Sequence, residues 1–284
     1  MLLDGILFSS TKLNGEEIRI FISFLGLLAT TYYDLFNNKN VPNKLLYAFL
    51  GLAILTNILF FNQELVVFAL VQTLFFGGFF YLMYRQGQMG GADVFALVSL
   101  ILLLPIHPSI TNMTLNYPLV VSLLVFSGVL FALYAIIFLF SKVIKLKGTK
   151  PNLFAILYLI PYTAFAYFYL NSFLFSQLYF IIISVLVLAS TFFLMYKKDI
   201  TKALSEKIKL SKVEEEDVVV LEPYTKEELE KYKLPRVISY TELDRLKKLG
   251  LNELYIYTKL PPFLPFLLVG LLLSMLFANN LIMI

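Results

Sequence analysis

Gly87-Gln88-Met89-Gly90-Gly91-Ala92-Asp93 joins two long apolar runs and delivers a carboxylate to the start of the second. Asp93 is the only Asp, Glu, Lys or Arg between Arg85 and Lys142. A charge at the mouth of a membrane helix is costly to desolvate, so it marks a functional position. The glycines before it predict a close approach to the backbone, in conformations that other residues resist. A second acid, Asp34, ends an earlier apolar run. Fold and function turn on whether these two carboxylates meet.

Of the 284 residues, 59% are hydrophobic, against roughly 45–50% in a soluble domain. The mean hydropathy is +0.80. The apolar residues come in unbroken blocks, so the chain reads as an all-α polytopic membrane protein. Eight spans are predicted, at 18–35, 44–61, 65–84, 92–106, 118–140, 153–170, 177–196 and 262–282. The fourth is the shortest, as expected of a helix whose first turn lies inside protein. The absence of cysteine excludes disulfides, thiolate zinc sites and cysteine nucleophiles. One histidine, His107, excludes a multi-histidine metal site, and no metal or cofactor is expected. No signal peptide is evident, since Asp4 and no basic cluster stand at the start.

The net charge of +4 is small, and its placement reads as topology rather than nucleic-acid binding. Lys39 and Lys44, Arg85, then Lys142, Lys145, Lys147 and Lys150, and finally Lys197 and Lys198 fall in alternate loops. The loops near 62–64, 107–117 and 171–176 carry no Lys or Arg. By the positive-inside rule both termini are expected outside the cell membrane and the basic loops in the cytoplasm.

The membrane domain is expected over 1–196, a small cytoplasmic α/β lobe over 197–260, and a last span over 261–284. Within the lobe, Asp217–Leu221 and Glu253–Tyr257 read as strands. Thr225–Tyr232 and Thr241–Leu249 read as helices, with Thr225 and Thr241 as N-caps and Gly250 as a C-cap. Lys202–Lys212 is basic and reads as a segment on the inner membrane surface or a solvated face. Glu214, Glu215, Glu216 and Asp217 form an acidic run.

The loop count places Asp34 at the cytoplasmic end of span one and Asp93 at the cytoplasmic start of span four. Both carboxylates therefore lie at one depth, though nothing local brings them together laterally. Such a pair shares one proton, and its two members can divide the acid and base work of peptide hydrolysis. A Ser-His-Asp triad would have to recruit His107 from the opposite face. The same residues suit two other roles. An intramembrane acid can bind a proton or ion in a transporter. Alternatively, each aspartate only solvates a helix end or complements a helix dipole.

Asp34-Leu35-Phe36-Asn37-Asn38-Lys39-Asn40-Val41-Pro42-Asn43 resembles the segment around the first catalytic aspartate of the type IV prepilin peptidases, where an Asp is followed by Ile/Val-Pro-Asn. Gly90-Gly91-Ala92-Asp93 is similar to the second motif, Gly-x-Gly-Asp, in the variant of archaeal members that include the preflagellin peptidases. Ala92 departs from the usual glycine. Lys259-Leu260-Pro261-Pro262 before the final span also resembles archaeal members. The presenilin-like proteases share a Tyr-Asp motif, which Tyr33-Asp34 fits, but their Pro-Ala-Leu tripeptide does not occur here.

The resemblance implies an aspartic endopeptidase with Asp34 and Asp93 as its catalytic pair. It implies cleavage of short basic leaders from prepilin or prearchaellin (preflagellin) precursors at the cytoplasmic membrane face. Bacterial members often carry an extra cysteine-rich domain linked to N-methylation; this chain has no cysteine, so no methyltransferase activity is implied. Glu214, Glu215, Glu216 and Asp217 are candidate partners for such a leader. Gly90 and Gly91 are expected to let the loop approach the membrane or a substrate strand. Pro42 is expected to begin span two with Asn43 as its cap. Gly77 and Gly78 are expected to allow close helix packing.

Overall fold

The computed structural model describes residues 12–37, 40–111, 117–146, 148–258 and 260–281. Asn38, Lys39, Lys147 and Lys259, which entered the motif and loop readings above, lie outside the described residues. Apolar helices occupy all eight predicted places. They are α1 (Glu16–Phe36), α2 (Asn43–Leu59), α3 (Gln63–Arg85), α4 (Gly91–Leu103), α5 (Leu119–Val143), α6 (Leu153–Leu170), α7 (Gln177–Met195) and, after the lobe, a helix over Leu264–Phe277. Five of them, α1, α3, α5, α6 and α7, are long and apolar enough to cross a membrane. The other three have 17, 13 and 14 residues. At 1.5 Å per residue, 13 residues rise only about 20 Å, short of a hydrocarbon core of about 30 Å. Length alone therefore supports five of the eight as crossings.

The shortest helix is the central one. On α4, Ala96, Leu97, Ser99, Leu100, Ile101 and Leu103 are buried, and all but Ser99 share one hydrophobic core with residues of α1, α2, α3, α5 and the Leu264–Phe277 helix. Elsewhere the apolar surface faces outward. The α-helical part of α6, Leu159–Leu170, buries nothing, and Phe173 just beyond it is 95% exposed. Apolar surface on this scale belongs in lipid.

Local chemistry sets the helix ends. Asn62 caps α3 by accepting from the N–H groups of Glu64 (3.0 Å) and Leu65 (3.2 Å). A π-helical turn at Thr73–Gly77 interrupts α3 where it meets α4. A Cβ on Gly77 would stand 3.2 Å from Val98 Cγ2, whereas Gly78 faces open space. The close-packing role expected of both glycines thus holds at Gly77 only. Asn43 does not cap α2: it is already the first helical residue, Pro42 occupies the N-cap position, and no side chain accepts there. The Pro42 carbonyl instead opens the helix by accepting from Leu45 and Leu46.

The segment after α4 is tied down by polar groups. His107 Nδ1 donates to the Tyr117 carbonyl (3.1 Å), an assignment fixed because a carbonyl only accepts. Its Nε2 then faces Ser122 Oγ at 2.9 Å. Burial pushes the His107 imidazole down to about 4, against the opposing effect of the Tyr117 hydrogen bond. A folded value below the unfolded one, near 6.5, means that the unfolded chain takes up a proton first as the pH falls. The stabilisation is complete above about pH 6.5 and is lost progressively toward pH 4. Acidification from pH 7 to 5 is expected to cost about 2 kcal/mol of stability through this residue. His107→Gln should flatten that part of a thermal-stability profile in detergent.

After α7 the chain forms a lobe with its own core of Leu210, Val213, Val219, Ile238, Leu243, Leu246, Leu254 and Ile256. Its elements are α8 (Lys197–Leu204), β1 (Ser205–Lys209), α9 (Lys226–Tyr232), α10 (Tyr240–Lys248) and β2 (Glu253–Tyr257); the Leu264–Phe277 helix that follows is α11. The basic stretch at 202–212 ends α8, forms β1 and then a short 3-10 turn, because Leu204 and Leu210 are buried at either end of the strand. β1 pairs antiparallel with β2, Ser205 opposite Tyr257 and Lys209 opposite Glu253.

The predicted strand at 217–221 is reduced to two isolated bridges, Val218 with Val237 and Val219 with Ile256. Its backbone meets two different partners within three residues, so neither ladder extends. Thr225 caps α9 in a full capping box with Glu228. Ser239, rather than Thr241, caps α10. Gly250 follows α10 with φ +77°, the left-handed geometry expected of a C-cap glycine.

Candidate active site

Asp34 sits in the last turn of α1 and is 8% exposed. Asp93 is the third residue of α4 and is half-buried. The two helices pack together, and the charge of Asp34 acts on the Asp93 carboxyl. The structure therefore brings the two acids to the same end of the same helix pair. The Asp93 Oδ2 accepts the Gly90 N–H at 3.2 Å, which fixes this side chain across the first turn of its own helix. A short acidic residue at this position complements the helix N-terminus.

The glycines act differently from expectation. Gly90 and Gly91 adopt ordinary conformations; the left-handed residue is Gly87, at φ +68°. What Gly90 and Gly91 supply is room. A Cβ on Gly90 would stand 3.1 Å from Asp93 Oδ2, and one on Gly91 only 2.8 Å from Glu216 Oε2. Ala92 packs its methyl against the central core, so the position before Asp93 needs no glycine. Pro42 and Asn43 begin α2, which packs on both α1 and α4.

The lobe reaches this end of the helix pair. The Tyr84 hydroxyl at the end of α3 donates to the Glu216 carboxylate, and Glu216 lies over Gly91. Val218 packs so closely that a Cβ on Gly87 would stand 2.7 Å from its Cγ1. Glu216 is held at φ +70°, a rare conformation for a residue with a side chain. Burial pushes the Glu216 carboxyl up, partly offset by the Tyr84 hydrogen bond, and the neighbouring Glu215 raises it further. Burial also raises Asp217, whose carboxylate accepts the Glu214 N–H at 2.8 Å. Tyr84 carries no motif and gave no sequence signal. Among the described residues, no group of three or more His, Cys, Asp or Glu side chains converges as metal ligands do.

Residues 21–139 match the model of the type IV leader peptidase family. The match covers the segment that carries both Asp34 and Asp93. The similarity to leader peptidases supports a protease, in a chain rich in membrane-length apolar helices. The lobe and α11 lie beyond the matched leader peptidase region. No curated protein and no solved structure matches the chain.

Proposed function

We propose that the protein is a membrane-embedded aspartic endopeptidase that removes short basic leaders from prepilin- or prearchaellin-like precursors at the cytoplasmic membrane face. The observation that carries this reading is the electrostatic pairing of Asp34 and Asp93 at one end of two packed helices, inside the leader peptidase region. The placement of the basic loops supports a cytoplasmic position for that end. A precursor whose apolar segment stays in the bilayer would present its leader junction at this depth.

The pair holds one proton between two carboxyls, because two adjacent negative charges repel. The ionised member takes a proton from a water as that water attacks the scissile carbonyl carbon. The protonated member donates to the carbonyl oxygen, giving a neutral tetrahedral diol. Return of a proton to the amide nitrogen then releases the amine and the acid. Neither carboxyl holds a fixed role, since the pair titrates as a unit.

Glu214, Glu215, Glu216 and Asp217 are proposed to meet the basic leader. Glu216 is the best placed of them, over the first residue of α4 and two residues from Asp93 along that helix. Purified enzyme in lipid nanodiscs should cut a precursor with a basic leader once, at the leader junction. Replacing Glu214, Glu215 and Glu216 by Gln is expected to raise KM on the order of tenfold with kcat little changed, as loss of uniform binding requires. An unchanged KM, or an equal loss with a leader whose basic residues are neutralised, would remove these acids from recognition.

A further inference from the structure

The far end of α4 carries a second constellation. Arg19, in the first turns of α1, is 1% exposed. Its guanidinium donates to the carbonyls of Leu103 (3.0 Å) and Leu102 (3.4 Å), to Asn57 Oδ1 (3.1 Å) and to the Asn14 carbonyl (2.8 Å). Asn57 on α2 donates in turn to the Leu102 carbonyl at 2.8 Å. Gln72 on α3 donates to the Pro105 carbonyl at 2.9 Å. Two helices thus each send a side chain to the last carbonyls of α4, which a buried helix end cannot leave unpaired, and a third holds the chain just beyond it at Pro105. The positive charge also complements the negative end of the α4 dipole.

α1 therefore meets α4 at both ends, bound by Arg19 at the C-terminus and with Asp34 close enough to act on Asp93 at the N-terminus. From Arg19 to Asp34 the rise along α1 is about 22 Å, and from Asp93 to Leu103 along α4 about 15 Å. The difference of about 7 Å is bridged by the long Arg19 side chain. We infer that Arg19 is a positioning residue. With Asn57 and Gln72 it fixes the axial register of α4 against α1, and so the height at which Asp93 meets Asp34. Sliding α4 along α1 would break this set of bonds where no water replaces them. Lysine would keep the charge but lose the second donor, Nε, that holds the Asn14 carbonyl while Nη1 reaches the Leu102, Leu103 and Asn57 oxygens. This role rests on the dyad reading for its effect on rate, but not for its effect on geometry.

The full chain lacks cysteine, so Phe36→Cys and Gln88→Cys accept a pair of spin labels at exposed positions beside the two aspartates. Arg19→Gln is expected to shift or broaden the distance between the labels. In the unlabelled background it should lower kcat on the order of 10–100-fold, with KM within about twofold. Arg19→Lys should recover part of both effects. Asn57→Leu, which removes one arm of the clasp, should shift the distance less. An unchanged distance in folded Arg19→Gln overturns the inference, whatever the activity. So does a shifted distance with an unchanged kcat in an enzyme that is active as wild type. If the wild type cleaves no precursor, the peptidase reading fails by itself and the label distance alone decides the register. If Arg19→Gln does not fold, Arg19→Lys and Asn57→Leu carry the same comparison.

Discussion

Asp34→Asn and Asp93→Asn are each expected to lower precursor cleavage about 10²–10⁴-fold, the range that a positioned acid–base group supplies. Asparagine is nearly isosteric but neither shares nor transfers the proton that the mechanism moves. The Asp93 variant is especially clean. Its amide oxygen still accepts the Gly90 N–H that now binds Asp93 Oδ2 at 3.2 Å, so the first turn of α4 is retained. Stability should change by less than about 1 kcal/mol, and cleavage should fall regardless.

The double variant should lose no more than either single one, because groups acting as a unit are strongly non-additive. The wild type should show a bell-shaped dependence of kcat/KM on pH, and the residual activity of each variant should lack it. Full cleavage by either variant rules out the pair. If the acids serve ion coupling instead, the same substitutions abolish proton- or ion-dependent flux in proteoliposomes and no precursor is cut by the wild type. A purely structural role predicts lower thermal stability with normal processing.

Much of this site is legible in the sequence, since its signals are local. Apolar run length placed eight helices, and Asp93 stood out because its surroundings carry no other charge. Charge alternation put Asp34 and Asp93 at one end before any contact was known. Crossing number was less legible, because α2, α4 and α11 are too short to be judged by length and are satisfied by neighbours instead.

What the pattern hides is tertiary. Arg19 reads as one charge at the edge of an apolar run, yet it holds the carbonyls of a helix more than 80 positions away. Tyr84 reads as one of many aromatics, and only the fold of the lobe sets Glu216 against it. The segment 217–221 has the composition of a strand, but the two edges it meets belong to different parts of the lobe. Gly90 and Gly91 looked like sites of unusual backbone; the unusual φ values fall at Gly87 and Glu216, and the two motif glycines are there to admit carboxylates.

Gly270→Val is expected to be strongly destabilising, although it lies outside the site. Gly270 lies on α11 against α5, where a Cβ would stand 2.8 Å from Ser127 Cβ, 3.0 Å from its backbone N and 3.1 Å from its Cα. Backbone atoms do not swing aside as side-chain ends do, so the two helices must separate. Overpacking of this kind costs about 1–3 kcal/mol, and a branched side chain should sit at the upper end. Gly128→Val on α5 is the control: a Cβ there meets nothing within 4 Å, and leaving glycine favours the helix. It should leave the melting temperature in detergent unchanged or higher, while Gly270→Val lowers it by several degrees.

The consequence reaches the site because α11 packs on α1, which carries Asp34. Leu264, Leu267 and Leu271 of α11 share the core that surrounds α4. Cleavage by Gly270→Val should therefore fall at temperatures where the protein is still folded. Adding Ser127→Gly should restore only part of the loss. It removes the Cβ contact at 2.8 Å but leaves the backbone contacts at 3.0 and 3.1 Å in place. Complete rescue would mean that the Ser127 side chain alone sets the distance between α5 and α11; no rescue would mean that its backbone does.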